Sequence, residues 1–142
     1  MYDDRPAFGV RVRVLGGVTV AEITGELDIF AAARISARLD SLARAARPNL
    51  VLDLRMVTFL DCAGVSLLCR LRNRVLERGG RLRLVIVDPR FTRLLRMVRL
   101  EDAFEVVDDL ALAVARSGEV GAGGSNGVIA RTVAKHRPTK CQ

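Results

Sequence analysis

An aspartate and a cysteine stand side by side where an apolar run gives way to a helical pattern, at Asp61 and Cys62. The run 51–54 (Val-Leu-Asp-Leu) is typical of a buried strand, and apolar residues recur at helical spacing from Ala63 onward. Aspartate is a preferred cap for a helix N-terminus. A strand, a short loop and a capped helix form the arrangement in which α/β folds place their sites. We therefore expect Asp61 and Cys62 to lie at a functional site.

Enzymatic and metal-dependent chemistry find little support in the residue types. The single histidine, His136, lies near the C-terminus, so a serine or cysteine nucleophile near Asp61 would lack a base. A zinc site would need Cys62, Cys69 and Cys141 to converge with His136 from distant regions, without a close pair of ligands. We predict no enzyme activity, no cofactor and no metal site.

Three carboxylates, those of Asp28, Asp53 and Asp61, are predicted to lie near one edge of the sheet and require an interpretation. Asp61 is predicted to be a helix N-cap, a role worth about 1 kcal/mol. Asp28 also precedes a helical pattern and is predicted to combine capping with contact to a partner. Asp53 lies inside the strand, where it is expected to face a basic neighbour or to accept backbone N–H bonds.

The periodicities predict the elements that position these residues. An alternating segment, a Gly16-Gly17 turn and a second strand indicate a β-hairpin, and strands then alternate with helices. This pattern predicts a single α/β domain with a mixed, mostly parallel sheet, helices packed against it and the order ββαβαβαβα. The predicted strands are Val10–Leu15, Val18–Ile23, Leu50–Leu54, Leu82–Val87 and Phe104–Val107. The predicted helices are Ala31–Ala46, Ala63–Arg78, a short one that begins at Pro89, and one from Asp108 to Arg116. On the short helix, the predicted inward residues are Phe91, Leu94, Leu95 and Val98. On the second helix, the predicted inward residues are Leu67, Leu68, Leu71, Val75 and Leu76, and the predicted outward residues are Ser66, Arg70, Asn73, Arg74 and Glu77.

Two motifs resemble those of anti-sigma factor antagonists of the STAS type. The family carries Gly-Glu-Leu-Asp, which is present at 25–28, and a second element with Leu-Asp-Leu, Val-x-Phe and Asp-Ser-Ser-Gly or Asp-Ser-Thr-Gly. The second element here reads Leu-Asp-Leu at 52–54, Val-Thr-Phe in a loop at 57–59 and Asp-Cys-Ala-Gly at 61–64. The resemblance covers about residues 8 to 116. It implies a bacterial STAS domain that binds an anti-sigma factor of the ATPase-fold serine kinase type and releases a sigma factor, thereby regulating transcription.

The resemblance also implies which residues contact the partner, and one of them departs from the family. The implied surface comprises Asp28, Thr58, Asp61, Cys62, Ala63, Gly64, Ser66 and Arg70. The serine that the family's partner kinase phosphorylates is Cys62 in this chain, so the resemblance implies a protein that is not switched by phosphorylation there. Ser66, one helical turn further on, is an alternative acceptor. A helix N-terminus favours the thiolate form of a cysteine, whereas the neighbouring carboxylate of Asp61 opposes it. One alternative that stays open is therefore a redox or ligand-responsive module acting through Cys62. Another is a STAS module that docks to a non-sigma complex.

Composition limits the remaining function classes. The 142 residues are 50% hydrophobic and carry a net charge of +7, but with five Phe, one Tyr and no Trp they offer few aromatic platforms for nucleic-acid bases, so no direct nucleic-acid binding is expected. No apolar run approaches the ~20 residues of a membrane span, and the N-terminus lacks a signal-like apolar stretch, so a cytoplasmic protein is expected. Residues 1–8 are predicted to be a flexible N-terminus, 9–116 the STAS domain and 117–142 a disordered, basic, Gly-rich tail. A monomer or weak dimer with reduced cysteines is the expected state.

Overall fold

The elements follow one another in the predicted order ββαβαβαβα. The computed structural model describes residues 8–118, and side chains as far as Ala115. The predictions for residues 1–7 and 119–142, including those on His136 and Cys141, therefore lie outside the described residues. Within them, Phe8 begins a strand and residues 117–118 end a helix, so the flexible N-terminus and the tail were each predicted to extend too far into the domain. The strands are β1 (Phe8–Leu15), β2 (Val18–Leu27), β3 (Asn49–Leu60), β4 (Arg81–Val85) and β5 (Glu105–Val107), and the helices are α1 (Ile29–Leu42), α2 (Cys62–Glu77), α3 (Pro89–Met97) and α4 (Leu110–Gly118).

The five strands form one mixed sheet in the order β1-β2-β3-β4-β5. β1 and β2 are antiparallel and pair from Leu15 opposite Val18, across the two-residue turn Gly16-Gly17. Both turn residues have positive φ values, 57° and 84°, which glycine adopts without steric cost and which a tight hairpin turn of this length favours. The other three pairings are parallel. The predicted fold class is confirmed.

The sheet is covered on both faces. The larger core lies between one face and the helices α1, α2 and α3, where Leu52 and Leu84 of the sheet share a cluster with Leu68 of α2. The opposite face packs against α4, with Val51 and Ala113 in a smaller cluster. The first half of β3 is buried on both faces, and it therefore reads as a nearly continuous apolar run in the sequence. Within residues 8–118, none of the helices combines the length and apolar character needed to cross a membrane.

Several predicted boundaries and faces need correction. The loop predicted at Val57–Phe59 is wrong, because β3 continues to Leu60 by pairing with β2. The predicted inward positions of Leu76 and Val98 are also wrong, since both lie in or beyond the last turn of their helices and are exposed. The buried neighbour of the α2 stripe is instead Arg72, whose Nε donates a hydrogen bond to the carbonyl oxygen of Ala103.

Candidate functional site

The carboxyl ends of two parallel strands bring Asp28 and Asp61 to the same edge of the sheet. Leu27 and Leu60 are the last residues of β2 and β3, and they pair with each other. Each is followed directly by the N-cap of a helix. Because paired parallel strands lie about 4.8 Å apart, the two capping loops are neighbours. The predicted residues Asp28, Asp61 and Cys62 therefore share one surface.

Both aspartates cap their helices as predicted. Oδ1 of Asp28 accepts hydrogen bonds from the backbone N–H of Phe30 at 3.1 Å and of Ala31 at 3.0 Å. Oδ1 of Asp61 accepts one from the backbone N–H of Gly64 at 3.1 Å. These bonds satisfy N–H groups that have no partner within the helix, and they fix the direction in which each helix leaves the sheet.

Gly64 holds the start of α2 against the end of β2. A Cβ atom at this position would lie 2.6 Å from the carbonyl oxygen of Leu27 and 2.6 Å from Cδ1 of Leu60. Such a contact is shorter than real Cβ atoms show, so only glycine permits this approach. Gly64 itself is buried and does not contribute to the surface directly. Its role is to position the first turn of α2, in which Cys62 is exposed and Ala63 is half-buried.

A register shift at the end of β3 exposes Thr58. Gly25 of β2 pairs with Val57 and the next residue, Glu26, pairs with Phe59, so the pairing skips Thr58. An extra residue of this kind redirects side chains and is common beside functional sites. Thr58 and its paired neighbour Phe59 are both exposed.

The outward face of α2 continues the surface away from the sheet. Cys62, Ser66 and Arg70 are spaced four residues apart and are all exposed. Cys62 is a free thiol, and Cys69 is free and buried. The thiol of Cys62 is thus accessible from solvent at the first turn of the helix.

Asp53 is not part of this surface. It is buried in the middle of β3, with 1% of its area exposed, and its carboxylate accepts bonds from Arg55 Nε at 2.9 Å, Nη2 at 2.8 Å and the backbone N–H at 3.1 Å. Burial alone would raise the pKa of Asp53, but the bonds from Arg55 and the charges of Arg55 and Arg13 outweigh it and hold the pKa below its ordinary value. The predicted basic neighbour is therefore Arg55. Within residues 8–118, no three histidine, cysteine, aspartate or glutamate side chains cluster as a metal site would require.

Apolar side chains beside the aspartates escaped the sequence reasoning. Ile29 and Phe30, the first residues of α1, are exposed, and Phe30 has 76% of its area open to solvent. Phe59 of β3 is 46% exposed. The available signal was that Phe30 lies off the apolar stripe of α1 that contains Ile35 and Leu39.

Comparison with known proteins places this geometry in a family. Residues 10–113 match the sequence model of the STAS domain. The chain belongs to the STAS domain family. No curated protein sequence matches this chain.

Solved structures share the fold of this STAS domain at low sequence identity. An anti-sigma factor antagonist from Mycobacterium paratuberculosis is 24% identical with a TM-score of 0.71, over 78% of this chain and 93% of that one. An anti-sigma factor antagonist (STAS) domain protein from Planctomyces limnophilus is 20% identical with a TM-score of 0.69, over 76% and 97%. The Bacillus cell fate determinant SpoIIAA in its phosphorylated form is 18% identical with a TM-score of 0.61, over 76% and 98%.

Proposed function

We propose that this STAS domain is an anti-sigma factor antagonist, which binds an anti-sigma factor of the ATPase-fold serine kinase type and so releases a sigma factor. The observation that carries the proposal is the shared surface of Asp28, Asp61 and Cys62 at the paired ends of β2 and β3. Proteins of the same fold that are described as anti-sigma factor antagonists support it. The role is recognition of a protein, without catalysis, and without direct contact to nucleic acid or membrane.

The surface has the make-up of a protein interface. The exposed apolar side chains of Ile29 and Phe30 lie directly beside Asp28. The proposed surface also includes the exposed polar side chains of Thr58, Ser66 and Arg70 and the half-buried Asp61. Apolar anchors inside a polar rim are what a reversible protein–protein contact uses. We expect the partner to cover the whole of this surface, including the exposed part of Ala63. Gly64 would contribute indirectly, by positioning the first turn of α2.

The residue at position 62 determines how such an antagonist is regulated. A phosphorylated serine there would add close to two negative charges beside Asp61 and would repel a partner. Cys62 has no hydroxyl group, so a serine kinase cannot switch the chain at this atom. Ser66 lies inside α2, where its backbone is not available in the extended form that a kinase binds. The chain is thus an antagonist that stays competent to bind, acting in the cytoplasm as a monomer or weak dimer.

A second candidate is a redox-responsive STAS module. The exposure of the free Cys62 thiol at the start of α2 favours it, because oxidation would change the centre of the same surface. Complex formation under reducing and under oxidising conditions separates the two functions. A constitutive antagonist binds equally in both, whereas a sensor loses or gains its partner on oxidation.

The test begins with capture of the partner from the native cell extract on the immobilised chain, followed by identification and purification of the bound protein. We expect an anti-sigma factor. Phe30→Ala should weaken the purified complex at least about tenfold, because an exposed aromatic anchor is lost. Leu112→Ala, at an exposed position of α4 on the other face of the sheet, is the matched control and should leave the Kd unchanged. Recovery of a partner unrelated to sigma regulation, or equal binding by both variants, contradicts the proposal.

A further inference from the structure

A shallow groove lies beside the proposed partner surface, between the end of β3 and α3. It encloses about 260 Å³. Thr58 and Phe59 of β3 line one side, and Arg93 and Met97 of α3 line the other. Since Thr58 belongs to the proposed partner surface, the groove continues that surface toward α3.

The α3 side of the groove combines apolar and basic side chains. Arg90, Arg93, Leu94 and Met97 follow the spacing i, i+3, i+4 and i+7, so they form one stripe along the helix. Met97 has 71% of its area exposed, the second most exposed large apolar side chain after Phe30 within residues 8–118. Exposed methionine and aromatic side chains are enriched where proteins contact proteins.

The net charge of the groove is positive. α3 contains three arginines and no acidic residue. Arg90 is compensated, because its Nη2 lies 2.7 Å from Oδ2 of Asp88 and its guanidinium stacks over Phe91 at 5.6 Å. Arg93, which is exposed, forms no ion pair with an acidic side chain of residues 8–118. Arg93 therefore supplies a positive charge that a bound molecule can neutralise.

We propose that this groove receives an acidic amphipathic segment of the protein partner, with its apolar side chains against Phe59 and Met97 and a carboxylate on Arg93. A guanidinium binds a carboxylate with two parallel hydrogen bonds, which suits recognition of Asp or Glu. The apolar walls favour a protein segment over a nucleic acid, whose phosphates would leave Phe59 and Met97 uncovered. This inference rests on the proposed function, because it describes a second contact of the same partner.

A photo-crosslinking experiment tests where the segment lies. A photoreactive phenylalanine analogue is placed at position 97, and at position 14 as a control. Val14 is 66% exposed, close to the 71% of Met97, but it lies on β1, which β2 separates from β3 in the sheet. With the purified partner, position 97 should give an adduct that mass spectrometry maps to a segment of net negative charge, and position 14 should give none. A stable complex without an adduct at position 97, or an adduct to a neutral or basic segment or to nucleic acid, overturns the inference.

A charge reversal tests the role of Arg93. Arg93→Glu should raise the Kd at least about tenfold in roughly 0.1 M salt, because the introduced carboxylate would then repel the carboxylate of the partner segment. The matched control is Arg38→Glu, an exposed arginine in the middle of α1, which should change the Kd less than about twofold. Circular dichroism should show both variants folded. Equal binding by Arg93→Glu and the wild type overturns the inference.

Failure of the proposed function and failure of the groove inference give different experimental results. If the captured partner is not an anti-sigma factor, the proposed function fails, yet the crosslink and the Arg93→Glu measurement still test the groove with that partner. If an anti-sigma factor binds but neither Met97 nor Arg93 contributes, the groove inference fails and the proposed function stands.

Discussion

Replacing Gly64 by alanine puts the packing of α2 against β2 to a direct test. The added Cβ would lie 2.6 Å from the carbonyl oxygen of Leu27. That oxygen belongs to the main chain of β2, so it cannot rotate away as a flexible side chain could. The first turn of α2 must therefore move outward, and Asp61 and Cys62 move with it.

Two opposing effects decide the magnitude for Gly64→Ala. Alanine in a helix is favoured over glycine by about 0.5–1 kcal/mol, because the unfolded chain loses less freedom on folding. Overpacking of a well-packed site costs about 1–3 kcal/mol, and contact with a fixed backbone atom belongs to the upper part of that range. We expect a net loss of about 1–2 kcal/mol in the free energy of unfolding, together with weaker partner binding.

Urea unfolding followed by circular dichroism measures the loss. The midpoint should fall while the slope m stays constant, because the surface exposed on unfolding does not change. Ser66→Ala, at an exposed position of the same helix, is the control and should stay within about 0.5 kcal/mol of the wild type. If Gly64→Ala were as stable as the wild type or more stable, the close approach of α2 to β2 would be refuted.

Three further predictions concern the core, the buried carboxylate and the thiol. Leu71→Ala should lower the free energy of unfolding by about 2–5 kcal/mol, because Leu71 is buried. Arg70→Ala, at an exposed position, should change it by less than about 0.5 kcal/mol but weaken partner binding. Urea unfolding and a Kd measurement on both variants test this, and the opposite pattern would contradict the assignment of the two helix faces. The pKa of Asp53 is lower in the folded chain than its unfolded value of about 3.9, so its bonds to Arg55 stabilise the fold above about pH 4 and lose this effect as the pH falls through the folded value. Urea unfolding from pH 7 to pH 2 should therefore show that the wild type and Asp53→Asn become more similar in free energy of unfolding below about pH 4. A difference that stays constant over this range would show that the charge of Asp53 does not stabilise the fold. Cys62→Asp should mimic a phosphorylated serine and weaken partner binding by about 1–3 kcal/mol in calorimetry, and unchanged affinity would place position 62 outside the interface.

The sequence predicted the elements where local chemistry determines them. Asp28 and Asp61 are followed by helical patterns, and a cap needs only the backbone N–H groups of the next few residues. Asp28 and Asp61 were also expected near one edge of the sheet, and the parallel pairing of β2 with β3 accounts for their convergence there. The Gly16-Gly17 turn followed from the positive φ values that a two-residue hairpin requires.

The errors lie where distant residues decide the outcome. The segment Val57–Phe59 resembled a loop, but pairing with Gly25 and Glu26 of β2 keeps it in the sheet with Thr58 unpaired. The burial of Arg72 depends on the carbonyl of Ala103, which is 31 residues away in the chain. No local pattern contains such information.

The groove was missed for the same reason. The spacing of Arg90, Arg93 and Met97 was visible in the sequence as a stripe on a short helix. Its meaning depended on where α3 packs, since only the structure shows that this stripe faces Thr58 and Phe59 at the end of β3.

Displacement of a sigma factor tests the central claim most directly. The purified anti-sigma factor is bound to its sigma factor, the chain is first incubated with the anti-sigma kinase and ATP, and release of sigma is measured while intact-mass spectrometry records any added phosphate. We expect stoichiometric release, unchanged by the incubation, and no phosphate on the chain, because Cys62 lacks an acceptor hydroxyl. Failure to displace sigma would contradict antagonism itself. A phosphate mapped to Ser66 or Thr58 that abolishes release would contradict an antagonist that stays competent to bind.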